Sequence, residues 1–290
     1  MLPRTKESRF AAWVLSAPLL IFFAIMLAYP VFVGLRTAFS RNLLSDPVKS
    51  FNGLDNFIDL ATNPTFWESI EFTLRFAFIA TALQLTLGFL LALVFDRRIP
   101  GKAGLFSAIL VPIMIAPSLM AVMYRLLLNE NIGALPAVLS LFGVQVSLFS
   151  PDTIFVLLIL LDCIQFIPFT FLLLYSSLQN IPDELYEAAS IDGAKYSGTI
   201  WRIVLPILKP AIVVVILLRV LESIRNFDVI YILTGGGPGT VTQTVGIFIY
   251  KTAFQQGNFG GAAAASVMLV ILLAPFTPWI IKKLSTSEKE

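Results

Sequence analysis

Residues Thr153–Tyr175 read TIFVLLILLDCIQFIPFTFLLLY, and Asp162 is the only charged side chain among them. A bilayer core about 30 Å thick takes about 20 apolar residues of α-helix to cross, because each residue rises about 1.5 Å. In a medium without water the backbone N–H and C=O groups must be paired within the segment, which a helix does and an isolated strand does not. The stretch therefore reads as a membrane span, and the rest of the chain is read outward from it.

Five more segments pass the same test: Ala11–Leu35, Ile70–Phe95, Gly104–Leu128, Ala211–Leu233 and Gly260–Ile281. Pro18, Pro30, Pro112, Pro117, Pro168 and Pro275 fall within the six segments and are expected to kink membrane helices without ending them. With 57% apolar and 13% charged residues in 290, and a mean hydropathy of +0.86, little sequence remains for a soluble domain. The expected fold is all-α: a polytopic membrane protein with six transmembrane helices, forming a single domain over residues 1–290. Lipid is its first partner.

The same composition excludes much chemistry. There is no histidine, and the one cysteine, Cys163, lies inside an apolar run, so no catalytic residue and no metal site is expected. A net charge of +2 with no basic stripe among aromatics gives no nucleic-acid surface. Arg4, Lys6 and Arg9 before a long apolar segment resemble a signal peptide, but the segment outlasts a signal core, so an uncleaved first span is expected.

Orientation follows from Lys and Arg close to the span ends. One side holds about twelve, including the N-terminal group, Arg97, Arg98, Lys102, Lys195, Arg202, Lys209, Lys282, Lys283 and Lys289; the other holds about five, Arg36, Arg41, Lys49, Arg225 and Lys251. Both termini are therefore expected in the cytoplasm. So is the connection between the fourth and fifth spans.

That connection, Ile181–Pro210, reads IPDELYEAASIDGAKYSGTIWRIVLPILKP. It is too polar to cross a membrane and carries helix signals: Pro182 for the first helical position, Asp183 and Glu184 at the positive end, Gly193 as a stop. At 100° per residue Leu185, Ala188, Ala189 and Asp192 share one side, with Glu187 and Ile191 on the other. One face packs and the other is presented. From the residues alone, an amphipathic surface helix that merely connects two spans fits as well as a docking element. A second amphipathic turn, Thr199–Leu205, leads through Pro206 and Pro210 into the fifth span.

EAASIDGA followed by IVLP resembles the EAA signature of ABC importer permeases, carried here by Glu187, Ala188, Ala189, Asp192, Gly193, Ile203, Leu205 and Pro206. The resemblance implies that Glu187, Ala188, Ala189, Asp192, Gly193 and Ala194 form a cytoplasmic coupling helix seated in a cleft of an ATPase subunit. Three more stretches resemble the maltose-type carbohydrate permeases: Phe51–Leu74, the DCIQFIPF motif at Asp162–Phe169, where Ile164 stands in place of a frequent tryptophan, and Leu233–Phe254. Together these cover nearly the whole chain. They imply an alternating-access importer subunit for a sugar or a sugar-like solute, in a bacterial or archaeal inner membrane. The implied partners are a second, different permease, two ATPase subunits and an extracytoplasmic solute-binding protein. ATP and Mg would sit on the partner ATPase, with no cofactor on this chain.

The run Gly235-Gly236-Gly237-Pro238-Gly239 is not a Walker loop, which needs GxxxxGK[ST] between a strand and a helix. It reads as a tight turn whose backbone another chain can approach. In family terms Gly235, Gly236, Gly237 and Pro238 would contact the binding protein.

A charge at mid-membrane costs about 2.5–3.5 kcal/mol on insertion scales, so ionisable residues in spans must face something polar. Arg219, Glu222 and Asn226 fall at i, i+3 and i+7 on the fifth span, and Asp162 and Gln165 are one turn apart on the fourth. Such stripes suit a wet solute pathway, with Phe166, Phe227 and Tyr231 as rings for sugar faces; an Arg219–Glu222 structural salt bridge would look the same in sequence. Two other functions compete. A secondary transporter also breaks helices and buries charge, but here an inverted repeat is not evident. An intramembrane enzyme lacks any catalytic constellation. Within the importer reading, a glycerophosphodiester or polyol remains an alternative cargo.

Overall fold

The computed structural model of the protein describes residues 6–46, 50–97, 99–143 and 147–275. The expected end of the last span at Ile281, and Arg4, Lys49, Arg98, Lys282, Lys283 and Lys289 of the charge count, lie outside them. The described residues are mostly helical. In order they form α1 (Lys6–Phe23), α2 (Tyr29–Ala38), α3 (Asp55–Thr62), α4 (Pro64–Asp96), α5 (Lys102–Met114), α6 (Pro117–Leu127), α7 (Ala134–Leu141), α8 (Ile154–Leu178), α9 (Asp183–Ile191), α10 (Tyr196–Thr199), α11 (Leu205–Ile224), α12 (Asp228–Thr234), α13 (Val245–Tyr250) and α14 (Phe259–Leu273). The strands β1 (Ser40–Arg41) and β2 (Ser50–Phe51) make a two-residue antiparallel ribbon.

The chain divides into two compact units, residues 6–63 with 249–274, and residues 64–248. In the first, α1 runs on through Ala24–Ala28 into α2, so that Trp13–Ala38 is one apolar span of 26 residues, and its most apolar stretch buries nothing inside the chain. α14 packs on α2 and α3. Asn56 ties the turn after α2 by donating to the carbonyls of Ala38 (2.8 Å) and Ser40 (3.0 Å). Asn258 caps α14 by accepting from the Gly261 N–H at 2.8 Å.

The second unit is built on α4 and α8, joined by α11, with α5 on α8 and α12 on α6. Gly88 lets α4 and α8 close: a Cβ there would lie 2.7 Å from the Thr170 methyl. The 33 residues of α4 rise about 50 Å, well beyond a bilayer core of about 30 Å. Its charges divide accordingly. Glu68, Glu71 and Arg75 occupy the first turns, and residues 76–95 carry no charge at all.

Two expectations need correcting. Pro117 does not merely kink the third span. α5 ends at Met114, Ile115 and Ala116 are extended, Pro117 opens α6, and the two helices meet at 95°. A proline disfavours the helical conformation at the residue before it and offers no N–H to continue the ladder, but is suited to starting a new helix. The fifth span is also interrupted: α11 stops at Ile224 and α12 starts at Asp228, with Arg225–Phe227 between them. Four helical segments, Trp13–Ala38, Pro64–Asp96, Ile154–Leu178 and Tyr196–Thr234, are long and apolar enough to cross a membrane; the bent α5–α6 pair and the shorter α14 stand where the other two spans are expected.

Candidate functional site

Two regions of the second unit concentrate the residues that the sequence singles out. The first is α9. Pro182 sits just before the helix at φ −61°, Asp183 and Glu184 fill the first turn, and Gly193 ends it at φ +69°. The Ala194 N–H reaches the Ala189 carbonyl at 2.9 Å and the Gly193 N–H reaches that of Ser190 at 3.1 Å, the double closure that a left-handed glycine permits. A Cβ on Gly193 would meet nothing within 4 Å, so the need for glycine there is conformational.

The face that packs differs from the expected one. Ala189 is buried and Tyr186, one turn earlier, is half-buried, whereas Leu185, Ala188 and Asp192 are exposed. Tyr186 drives its ring among Leu178, Ile181, Val204 and Leu208, the root at which α8 and α11 meet. Its phenolic oxygen is enclosed with no hydrogen-bond partner, and burial, with Asp96, Tyr196 and Asp183 nearby, holds its pKa above the ordinary tyrosine value. It stays a neutral hydroxyl. The side turned outward carries Glu187, Ala188, Asp192, Gly193, Ala194 and Ile191, the last 85% exposed, followed by Trp201 at 72%. An isoleucine and a tryptophan that exposed, on a polar stretch between spans, make a surface with no cover in the chain itself.

The second region lies where the two helix breaks meet α8. Arg219 is 1% exposed and Asp162 3%, and they face each other at 3.3 Å. Gln84 of α4 bridges them: it accepts from Arg219 Nε at 2.6 Å and donates to Asp162 Oδ2 at 2.6 Å. Asn226 donates its amide N–H to Asp162 Oδ1 at 2.9 Å, and the guanidinium lies 3.9 Å from the Phe166 ring centroid. Arg219 thus pairs with Asp162 on another helix and not with Glu222, which is exposed. Nor do Arg219, Glu222 and Asn226 form one stripe, because α11 ends before Asn226 is reached. Gln165 is buried and donates to the Ile115 carbonyl at 3.3 Å, satisfying one of the acceptors freed where α5 ends. Phe227 and Tyr231 stack on each other at 5.0 Å and are half-buried.

A cavity of about 150 Å³ opens beside this network, lined by Pro117 and Phe166 and by Arg219, Glu222, Arg225, Asn226, Phe227 and Asp228 among others. Gln84, which bridges Arg219 and Asp162, is not among the residues that the sequence singles out. A single glutamine in a span looks like any other polar residue, and only the fold brings it to Arg219. The described residues hold no cluster that suits a metal ion.

The glycine loop follows α12. Gly235 stands at φ +61°, Gly236 is buried, Gly235 and Gly237 are half-buried, and the exposed tip is Pro238, Gly239 and Thr240. Thr234 and Thr242 share a 2.8 Å hydrogen bond across the loop, and Thr242 donates to the Gly237 carbonyl at 2.8 Å. The first turns of α4 hold its far end: Thr73 Oγ1 accepts from the Val245 N–H at 3.0 Å and Glu68 from Thr240 at 3.4 Å.

Residues 9–286 match the model of a family described as binding-protein-dependent transport system inner membrane component. The chain belongs to that family. It is 33% identical over 267 residues, 91% of its length and 90% of the relative's, to the trehalose/maltose transport system permease protein of Thermococcus litoralis. It is 31% identical over 267 residues, 92% of this chain and 85% of that one, to the trehalose transport system permease protein of Mycobacterium tuberculosis. It is 28% identical over 267 residues, 91% of each, to the sn-glycerol-3-phosphate transport system permease protein of Agrobacterium fabrum. Among solved structures, a bacterial ABC transporter involved in the import of the acidic polysaccharide alginate has a chain of the same fold, at a TM-score of 0.83 and 22% identity over 97% of this chain and 96% of that one. This inner membrane component is therefore an all-α, multi-pass importer subunit.

Proposed function

We propose that this chain is one of two different permease subunits of an ATP-driven importer for a sugar or sugar-like solute, and that it works by alternating access. The observation that carries the reading is α9: Glu187–Ala194 project from the meeting point of α8 and α11 with an acidic and apolar surface that the chain leaves uncovered. A rigid helix rooted by Tyr186 in the spans transmits a push from a neighbour, where a loose loop would absorb it. Two ATPase subunits, which bind ATP and Mg and hydrolyse the nucleotide, would supply that push from the cytoplasmic side, where the Lys and Arg bias puts α9 and both termini. This chain needs no cofactor of its own. On the opposite side the tip at Pro238–Thr240, braced on α4, faces a solute-binding protein.

The solute path runs by the cavity at the two helix breaks, where Glu222, Asn226, Phe166 and Phe227 reach open space while Arg219, Asp162 and Gln165 hold the wall. The trehalose/maltose relative favours a neutral disaccharide; the glycerol-3-phosphate relative supports the second reading, a small phosphorylated solute. Ligand-induced melting of the partner solute-binding protein, screened with maltose, trehalose and sn-glycerol 3-phosphate, decides between them. A shift with a disaccharide alone supports the first reading, and a shift with the phosphate alone overturns it.

A further inference from the structure

We infer that Asp162 is a positioning residue whose hydrogen bonds cancel the one buried cation among the described residues and turn the Asn226 carbonyl oxygen toward the cavity, so that this wall selects an uncharged, hydroxyl-bearing solute. The inference deepens the proposed function and rests on the cavity being the solute path.

Asp162 faces the Arg219 guanidinium at 3.3 Å and accepts through both of its oxygens, and the group that Asn226 aims at Oδ1 is its NH₂. An amide is planar and two-ended. With its nitrogen committed, the Asn226 oxygen points away from Asp162, and Asn226 is only half-buried at the cavity wall. The other carboxylate oxygen accepts from Gln84 at 2.6 Å and from Arg219 at 3.3 Å, while Gln84 Oε1 takes the Arg219 Nε–H at 2.6 Å. The Arg219 charge is thereby matched inside the wall, and the Phe166 ring covers its face at 3.9 Å. What remains for a solute is an acceptor from Asn226, with Glu222 and Asp228 as acids and Arg225 as the one base on the cavity lining beyond that pair. A hydroxyl can donate to that acceptor. A phosphate or carboxylate finds a second acceptor and an excess of negative charge.

The geometry also prescribes its own rescue. In Asp162→Asn with Asn226→Asp, the new amide at position 162 accepts the bonds from Gln84 and Arg219 through its oxygen and turns its NH₂ to the new carboxylate at position 226. A carboxylate oxygen then looks into the cavity where the amide oxygen did. The cluster keeps its charge and every donor keeps an acceptor.

The test uses the full importer in proteoliposomes with its binding protein, and reads complex assembly and ATP-dependent uptake of labelled maltose and labelled trehalose. Asp162→Asn leaves Arg219 without its counter-charge, so we expect assembly to weaken and, in the complex that forms, KM to rise about three- to tenfold, with sn-glycerol 3-phosphate becoming a better competitor. Asn226→Asp alone sets two carboxylates together and should assemble poorly. The double variant should assemble and return KM to within about twofold of wild type. A double variant that fails to assemble, or that assembles with the Asp162→Asn KM, overturns the inference, as does an Asp162→Asn complex with unchanged KM and competition. A wild-type complex that carries neither disaccharide defeats the sugar reading itself, and the inference with it; failure of the rescue in a complex that carries one defeats the inference alone.

Discussion

Arg219 carries the largest buried polar side chain of the described residues, and its surroundings say what removing it does. Its head is hydrogen-bonded by Gln84 and Asp162, so Arg219→Ala strands a carboxylate in the wall of the spans. Breaking a buried pair by deleting one partner typically costs about 3–5 kcal/mol, most of it the uncompensated charge that is left. We expect Arg219→Ala to lower the melting temperature of the purified complex sharply and Glu222→Ala to leave it within about 0.5 kcal/mol of wild type, because Glu222 is exposed. Equal losses from the two would contradict the assignment of Arg219 to Asp162. Tyr186 gives a milder residue-scale prediction. Its hydroxyl is buried without a partner, so Tyr186→Phe removes an uncompensated desolvation and should be neutral or slightly stabilising in a thermal melt, while Tyr186→Ala should cost about 1–3 kcal/mol. A large loss from Tyr186→Phe would mean that the hydroxyl does have a partner.

At the scale of the element, α9 depends on how it ends. Gly193 is left-handed with open space around it, so Gly193→Val suffers no collision, only the conformational penalty of about 1–2 kcal/mol that a side chain incurs there. The helix should fray at its C-terminus and transmit poorly. We expect Gly193→Val and Glu187→Lys complexes to assemble but to lose most solute-stimulated ATPase activity; retention of wild-type stimulation in both would refute the coupling role of α9. This helix is also the most legible part of the sequence. Proline, two acids and glycine at helical spacing are local signals, and the turn obeys them. Its buried face is less legible, because Tyr186 and Ala189 face inward only on account of what α8 and α11 place beneath them. The same distinction separates the spans. Their rough positions follow from runs of apolar residues, but the breaks at Pro117 and at Arg225–Phe227 do not. A proline in a membrane helix bends it or breaks it depending on which distant groups take up the backbone positions left open, and here Gln165, 50 positions along the chain, meets the Ile115 carbonyl between the two helices. The partner of Arg219 is hidden for the same reason. Asp162 and Gln84 are 57 and 135 positions away, and sequence spacing along one helix offers Glu222 instead.

For the molecule as a whole, coupling depends on which side α9 faces and on what drives transport. Orientation rests on the charge bias and is checked by single cysteines in a Cys163→Ser background: a membrane-impermeant thiol reagent applied to intact cells should label position 240 and spare position 195. The reverse pattern would remove α9 from reach of a cytoplasmic ATPase. The most direct test of the central claim is uptake of labelled trehalose or maltose by proteoliposomes holding this chain, its partner permease, the ATPase and the binding protein. We predict uptake only with ATP and Mg inside the compartment that α9 faces, with no response to an imposed proton or sodium gradient, and its loss in Glu187→Lys. Uptake driven by an ion gradient without ATP, or unchanged by Glu187→Lys, would contradict it.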